Sequence, residues 1–358
     1  MDRNPIPVNV SYFNNSVSFG ENKIPYELST PTHKKIQSKG DTMIKRQLGP
    51  LFLATCLILT TIPFALGAQT ITVSPSGASA ETAINSAINS AASGATASSP
   101  GYVILTAGTY KISSPIKLKS NVVLKGAGDS TIIYAGSSVC NSASAPGYVY
   151  ASGVSNAEVS NLQFDSAASK ISDGGHGNYR NCVRIVKSSN IKVHDIFFST
   201  YLYGDGVRVS ASSGVNIYNC RINSGHDGIS FLSGTSNSRA YDNEIDIRVN
   251  TGIRADSCKN IEIDHNTFYG LHNSGWCCTE MEGSLSGIKI HDNIFHDYQG
   301  SSGNAAVQPV HASGSVSVYN NVLWKVGGIK YGTASSNIIN PSVTSISSWV
   351  KNGYGASI

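Results

Sequence analysis

Charge is scarce in this chain: Asp, Glu, Lys and Arg make up 13% of its 358 residues, where about a quarter is ordinary. A disordered, highly charged chain is thereby excluded. Tryptophan and methionine number 3 each, and no apolar heptad pattern runs through the sequence, which argues against a helical bundle or coiled coil. No CxxC pair or Cys/His spacing suggests a zinc site, and no motif suggests a nucleotide, a haem or a structural metal. The formal charge of +4 hints at an acidic partner. Seven Lys/Arg and only four acids lie in Met1–Gly67, however, so the remainder is nearly neutral and no electrostatic case for nucleic acid survives.

What is present begins with Met43-Ile44-Lys45-Arg46, the apolar run Leu51–Ile62 and the small residues Ala65-Leu66-Gly67-Ala68. The run falls short of the roughly 20 residues of a membrane span, and the three segments together read as a secretory signal peptide. The protein is then secreted or displayed at the cell surface, with Met43 as its start and residues 1–42 a leader. The rival reading is a cytoplasmic tail ahead of an uncleaved anchor. Cleavage removes Cys56 and leaves Cys140, Cys182, Cys220, Cys258, Cys277 and Cys278. An even number outside the cell permits disulfides, but spacing does not choose among the pairings. Cys277-Cys278 reads either as two small residues in a packed coil or as a redox pair.

The chain repeats. VHDIFF (193–198), YNCRI (218–222), YDNEI (241–245), HNTF (265–268), HDNIF (291–295) and YNNVL (319–323) align so that Phe198, Ile222, Ile245, Phe268, Phe295 and Leu323 are separated by 24, 23, 23, 27 and 28 residues. That period, with short β-branched runs and no helix-length apolar stripe, predicts an all-β solenoid, a right-handed parallel β-helix. Ile222, Ile245 and Phe268 should then stack inward on consecutive coils. Asn219, Asp242, His265, Asp292 and Asn320 should form a polar column at a bend, either contacting ligand or bonding the turn backbone as a ladder. Ile84 and Ile88 within Ala80–Ala92 predict a short amphipathic helix ahead of the strands, capping the open end. The organisation expected is 43–68 signal, 69–135 cap and first coils, 136–340 β-helix and 341–358 tail, a single domain and a monomer.

GYVILTAGTYKI (101–112) followed by SNVVLKGAGDSTII (120–133) resembles the opening of the secreted pectin-lyase-like β-helix proteins. That superfamily includes polysaccharide lyases, glycoside hydrolases, epimerases and adhesins, so the resemblance implies a fold more than a substrate. YGDGVRV (203–209) with NIYNCRINSGHDGISF (216–231) is similar to polygalacturonases, whose acids sit in neighbouring turns. The stretch from Cys258 to Gly328 also resembles archaeal disaggregatase-related surface proteins.

Superposing CVRI (182–185), GVRV (206–209), GISF (228–231) and GIRA (252–255) places Arg184, Arg208, Ser230 and Arg254 in one outward column. Three residues earlier, Asn181, Asp205, Asp227 and Thr251 form a second. Two carboxylates on adjacent coils suit glycosidic cleavage, which needs one carboxyl to protonate the leaving oxygen and another to activate water or attack the sugar. Asp205 and Asp227 are therefore the candidate catalytic pair, with His226 as a proton carrier. Arg184, Arg208, Arg254 and His176 are the candidate substrate contacts, since guanidinium groups bind uronate carboxylates bidentately. Glu280, Glu282 and Asp256 are secondary candidates. Against these stand plainer readings: Asp suits a G-D-G turn, the arginines can pair with Asp205, Asp227 or Asp256, and His176 lies in a Gly-rich excursion. The polygalacturonase pattern has two consecutive aspartates where this chain has His226-Asp227, and Gly-His-Gly where it has Asn250-Thr251-Gly252, so that assignment carries over only to Asp205 and Asp227.

The expectation is a protein that cleaves an anionic, uronic-acid-containing polysaccharide by acid/base hydrolysis and needs no cofactor. The alternatives are a lyase with Arg208 or Arg254 as base, in which Ca2+ could bridge Asp205, Asp227 and a uronate, an epimerase, or a non-catalytic adhesive β-helix.

Overall fold

The computed structural model describes residues 67–339 apart from 78, 137–145, 168–180, 200–203, 224, 249, 271–275 and 299–304. The expected signal segment, the tail, Cys140 and His176 lie outside the described residues. Among the described residues, no helix is long and apolar enough to cross a membrane.

Each turn of the chain contributes a strand to three parallel sheets. The front sheet stacks Val149–Ser152, Val183–Val186, Val207–Ser210, Asp227–Leu232 and Thr251–Asp256, then the first halves of Cys277–His291 and Ala305–Tyr319. A flank sheet follows it around the coil, and a back sheet closes the turn. The fold is a right-handed parallel β-helix.

The repeat read from the sequence is the register of the back sheet. Phe198 pairs with Ile222, Ile222 with Ile245, Ile245 with Phe268, Phe268 with Phe295 and Phe295 with Leu323. All six are buried, and the rings of Phe268 and Phe295 stack 4.8 Å apart. Like side chains meet because a parallel coil repeats at the spacing of adjacent strands, about 4.8 Å.

The polar column at the bend differs from expectation. Asn219, Asp242, His265, Asp292 and Asn320 all have left-handed backbones, with φ between +51° and +57°. Asn, Asp and His are the non-glycine residues that tolerate this best. The ladder runs one residue further on, through Asn243, Asn266, Asn293, Asn321 and Asn337. In each of the first four, the backbone N–H donates to the next asparagine's Oδ1 at 2.9–3.1 Å, and the side-chain amide donates to that same oxygen. Bend geometry therefore accounts for one column and internal hydrogen bonding for the next.

Helix α1, Ala80–Ala92, lies over the first coils with Ile84 and Ile88 fully buried. A strand, Thr70–Val73, precedes it and pairs with Gly101–Leu105, so the cap does not begin with the helix as expected. Gly101 is required there, since a Cβ would lie 2.1 Å from the Ala91 carbonyl oxygen. Glu81, buried at the helix start, accepts hydrogen bonds from the Ser113 backbone (3.1 Å) and hydroxyl (2.6 Å). The five described cysteines are free and buried. No disulfide forms among them, and Cys277 and Cys278 point to opposite faces of one strand, as alternation dictates.

Candidate active site on the front sheet

The outward column of the front sheet is, in register, Tyr150, Arg184, Arg208, Ser230, Arg254, Glu280 and Gln308. Beside it, Asp227 pairs with Thr251 and Thr251 with Cys277. The Asp205 carbonyl accepts the Cys182 N–H of the preceding coil at 3.1 Å, and the Asp205 N–H donates to Asn181 Oδ1 at 3.0 Å. Local backbone explains why the acids are followed by glycine. A Cβ on Gly206 would lie 2.7 Å from the Gly228 carbonyl oxygen, and one on Gly228 would lie 2.5 Å from that of Gly252. Only glycine lets the coils approach so closely at this corner.

The structure brings Asp205, His226 and Asp227 together. His226 Nδ1 lies 3.2 Å from Asp205 Oδ1 and 3.3 Å from Asp227 Oδ2. Arg208 donates to Asp205 Oδ2 at 2.9 Å, Ser230 to Asp227 Oδ2 at 3.0 Å and Asn250 to Asp227 Oδ1 at 2.8 Å. Both aspartates are fully buried, whereas 20% of the His226 side chain is exposed. Burial works against ionisation of Asp205, but the hydrogen bond from His226 and the charge of Arg208 outweigh it and hold the carboxyl below its usual range. Burial likewise opposes the imidazolium, and the hydrogen bonds and charges of Asp205 and Asp227 outweigh it, pushing His226 up to about 10.

Further along, Thr251 donates to Glu280 Oε2 at 2.9 Å. Arg254 lies against Glu282, with Glu280 Oε1 at 3.7 Å and Asp256 Oδ2 at 3.5 Å. Burial, then the charge of Asp227, pushes the Glu280 carboxyl up, against the opposing effects of Thr251 and Arg254. Their surroundings thus shift Glu280 and Asp205 in opposite directions. Burial lowers Arg184, and the charge of Arg208 adds to that. Arg254 is raised: burial opposes its charge, but Asp227, Glu280 and Glu282 more than offset it.

Two of the three arginines expected to meet substrate are engaged with the protein's own acids, Arg208 with Asp205 and Arg254 with Glu282, Glu280 and Asp256. Tyr150 on the outward column and Asn250 as a partner of Asp227 were not among the expected site residues. The column position could have marked Tyr150; nothing in the sequence marks Asn250, which reaches back from the following coil.

Asp205, His226 and Asp227 present donor atoms within 4.8 Å of one another, as do Glu262, Asp264 and His291 on the flank sheet. In the first group the His226 ring lies between the carboxyls, with Nδ1 at 3.2 and 3.3 Å from them. In the second, Asp264 is taken up by Arg239 and by His265 at 2.6 Å.

A family model described as rhamnogalacturonase A/epimerase, pectate lyase-like matches residues 73–276. No curated protein matches the chain in sequence. Among solved structures, jun a 1, the major allergen from cedar pollen, is 11% identical with TM-score 0.51, over 82% of this chain and 90% of that one. An alginate lyase from Paenibacillus sp. str. FPU-7 is 12% identical with TM-score 0.51, over 76% and 96% respectively. DFA-IIIase from Arthrobacter chlorophenolicus A6 is 15% identical with TM-score 0.51, over 76% and 72%. At these identities the three likenesses speak to the fold alone. The family match spans more than half of the chain and coincides with the coils that carry Asp205, Asp227 and Arg254, and the protein belongs to the rhamnogalacturonase A/epimerase, pectate lyase-like family.

Proposed function

We propose that the protein is a secreted enzyme that hydrolyses an anionic, uronic-acid-containing polysaccharide along the front sheet, with Glu280 as the proton donor and Asp227 as the carboxyl group that activates water. The observation that carries this reading is the Glu280 carboxyl, which is driven up by burial and by the charge of Asp227 and bonded to the coil next to Asp227. An environment that raises a carboxyl in this way suits it to donate a proton. The Glu280 carboxyl reaches back to Thr251, the in-register partner of Asp227. The strands of Glu280 and Asp227 are two coils apart, and the reach of Glu280 toward the intervening coil sets the two carboxyls between one and two coils apart, on the order of the spacing used in glycoside hydrolysis. Arg184 and Arg208, on the coils before the pair, supply the positive field that suits uronate. No cofactor enters this scheme, because the two carboxyls complete both proton steps.

The test is a panel of uronic-acid polysaccharides assayed for new reducing ends and for the ultraviolet absorbance of unsaturated uronate. Reducing ends without absorbance support hydrolysis. Absorbance with reducing ends means elimination and overturns the roles of Glu280 and Asp227. Binding without either product means an adhesive protein.

A further inference from the structure

The four oxygens of Asp205 and Asp227 are all accounted for by groups of the protein itself. Asp205 Oδ2 is held by Arg208 and Asp227 Oδ1 by Asn250, and Asp227 Oδ2 also receives Ser230. Asp205 Oδ1 and Asp227 Oδ2 also both face His226 Nδ1, at 3.2 and 3.3 Å. Two carboxylates from consecutive coils, both without solvent exposure, repel one another and would share a proton unless a cation stood between them. The side chain that stands there is an imidazole, nearly equidistant from both.

We propose that His226 is a positioning residue rather than a proton carrier, a protonated imidazolium wedged between Asp205 and Asp227 that ties neighbouring coils together and offsets the repulsion of the two buried carboxyls. The groups facing it are Asp205 and Arg208 from the preceding coil, Asp227 and Ser230 on its own, and Asn250, Thr251 and Arg254 from the following one. Arg208 is turned to the far oxygen of Asp205 and Arg254 to Glu282, so neither cation takes the place of the imidazolium between the two aspartates. Part of the ring reaches the surface, while the two carboxyls are buried beneath it. Loss of His226 should therefore act through the aspartates and not through any contact with the scissile bond.

The activity arm of the test rests on the hydrolytic reading; the spectroscopic arms do not. Long-range 1H–15N spectra of the full chain should show the His226 ring still doubly protonated at pH 8, where a free histidine is neutral. A neutral tautomer at pH 8 overturns the proposal. His226→Gln keeps a donor but removes the charge, and 13C spectra should then show an aspartate carboxyl titrating at least about one pH unit higher than in the wild type. His226→Lys, which restores the charge, should return it most of the way. If neither variant moves any carboxyl, the wedge has no electrostatic role and the proposal fails. With an active substrate, the acid limb of the kcat profile should shift upward in His226→Gln by the same amount, with KM little changed, and return in His226→Lys. If the wild type cleaves no polyuronate, the hydrolytic reading fails while the spectra still decide the role of His226. Should His226→Gln not fold, the wild-type ring spectrum and His226→Lys decide it.

Discussion

Replacing Asn266 by Ala tests the ladder that holds the coils together. The Asn266 side chain is fully buried and makes five hydrogen bonds. Its Oδ1 accepts the Asn243 backbone N–H at 3.1 Å and the Asn243 amide at 2.9 Å, and its amide donates to the carbonyls of Ala240 and Asp264 at 2.9 Å and to Asn293 Oδ1 at 3.1 Å. Truncation leaves the buried Asn243 N–H with no acceptor, at a cost of about 1–3 kcal/mol, and each further bond lost costs about 0.5–1.5 kcal/mol, less where neighbours relax. The expected loss is about 3–5 kcal/mol in all. Asp242 sits one residue before the ladder, in a left-handed backbone at φ +54°. Asp242→Ala should cost only about 1–2 kcal/mol, the penalty of that conformation for a residue with a Cβ, and Asp242→Gly should be close to neutral. Urea titration of the three variants, followed by circular dichroism at a common m-value, reads the differences directly. A loss of less than about 1 kcal/mol for Asn266→Ala, or an equal loss for Asp242→Ala, would refute the division of labour between ladder and bend.

Other outcomes follow from the same geometry. Ile245→Ala, which empties one step of the inward stack between Ile222 and Phe268, should cost about 2–5 kcal/mol, and an unchanged melting midpoint would contradict the back-sheet register. Glu280→Gln should lower turnover by about 10²–10⁴-fold with little change in melting temperature; full activity in that variant removes Glu280 as the donor. Burial opposes the charge of His194, but its hydrogen bonds to Glu158 and Asp195 outweigh that effect and raise it. Its contribution to stability is therefore fully present below about pH 6.5, the unfolded value, and is lost as pH rises through the raised folded value. The melting difference between the wild type and His194→Gln should shrink from pH 6 to pH 9, and a difference that grows would reverse the assignment. The thiols of Cys182, Cys220, Cys258, Cys277 and Cys278 are buried and raised above the ordinary range by that burial, so a thiol reagent should label them only after denaturation.

The class of fold and the inward stack were legible in the chain's period alone. A parallel coil places equivalent residues on top of one another, so the period of Phe198, Ile222, Ile245, Phe268, Phe295 and Leu323 along the chain is the spacing of the coils in space. The same logic made the outward column of Arg184, Arg208, Ser230 and Arg254 legible, since strand alternation is local. Three-dimensional packing settled what the period could not: which of two adjacent polar columns turns inward, and where each long side chain ends. Asn219 and Asn243 are both asparagines near the same bend, and only the backbone twist there separates a left-handed turn from a buried ladder. Arg208 and Arg254, outward on their strands, fold back onto Asp205 and Glu282. Asn250 and Glu280 reach across to the coil before their own, to Asp227 and Thr251. Such reaches depend on rotamers chosen by the electrostatics of neighbouring coils, roughly 20 to 30 residues away in the chain, and single-strand periodicity carries no information about them.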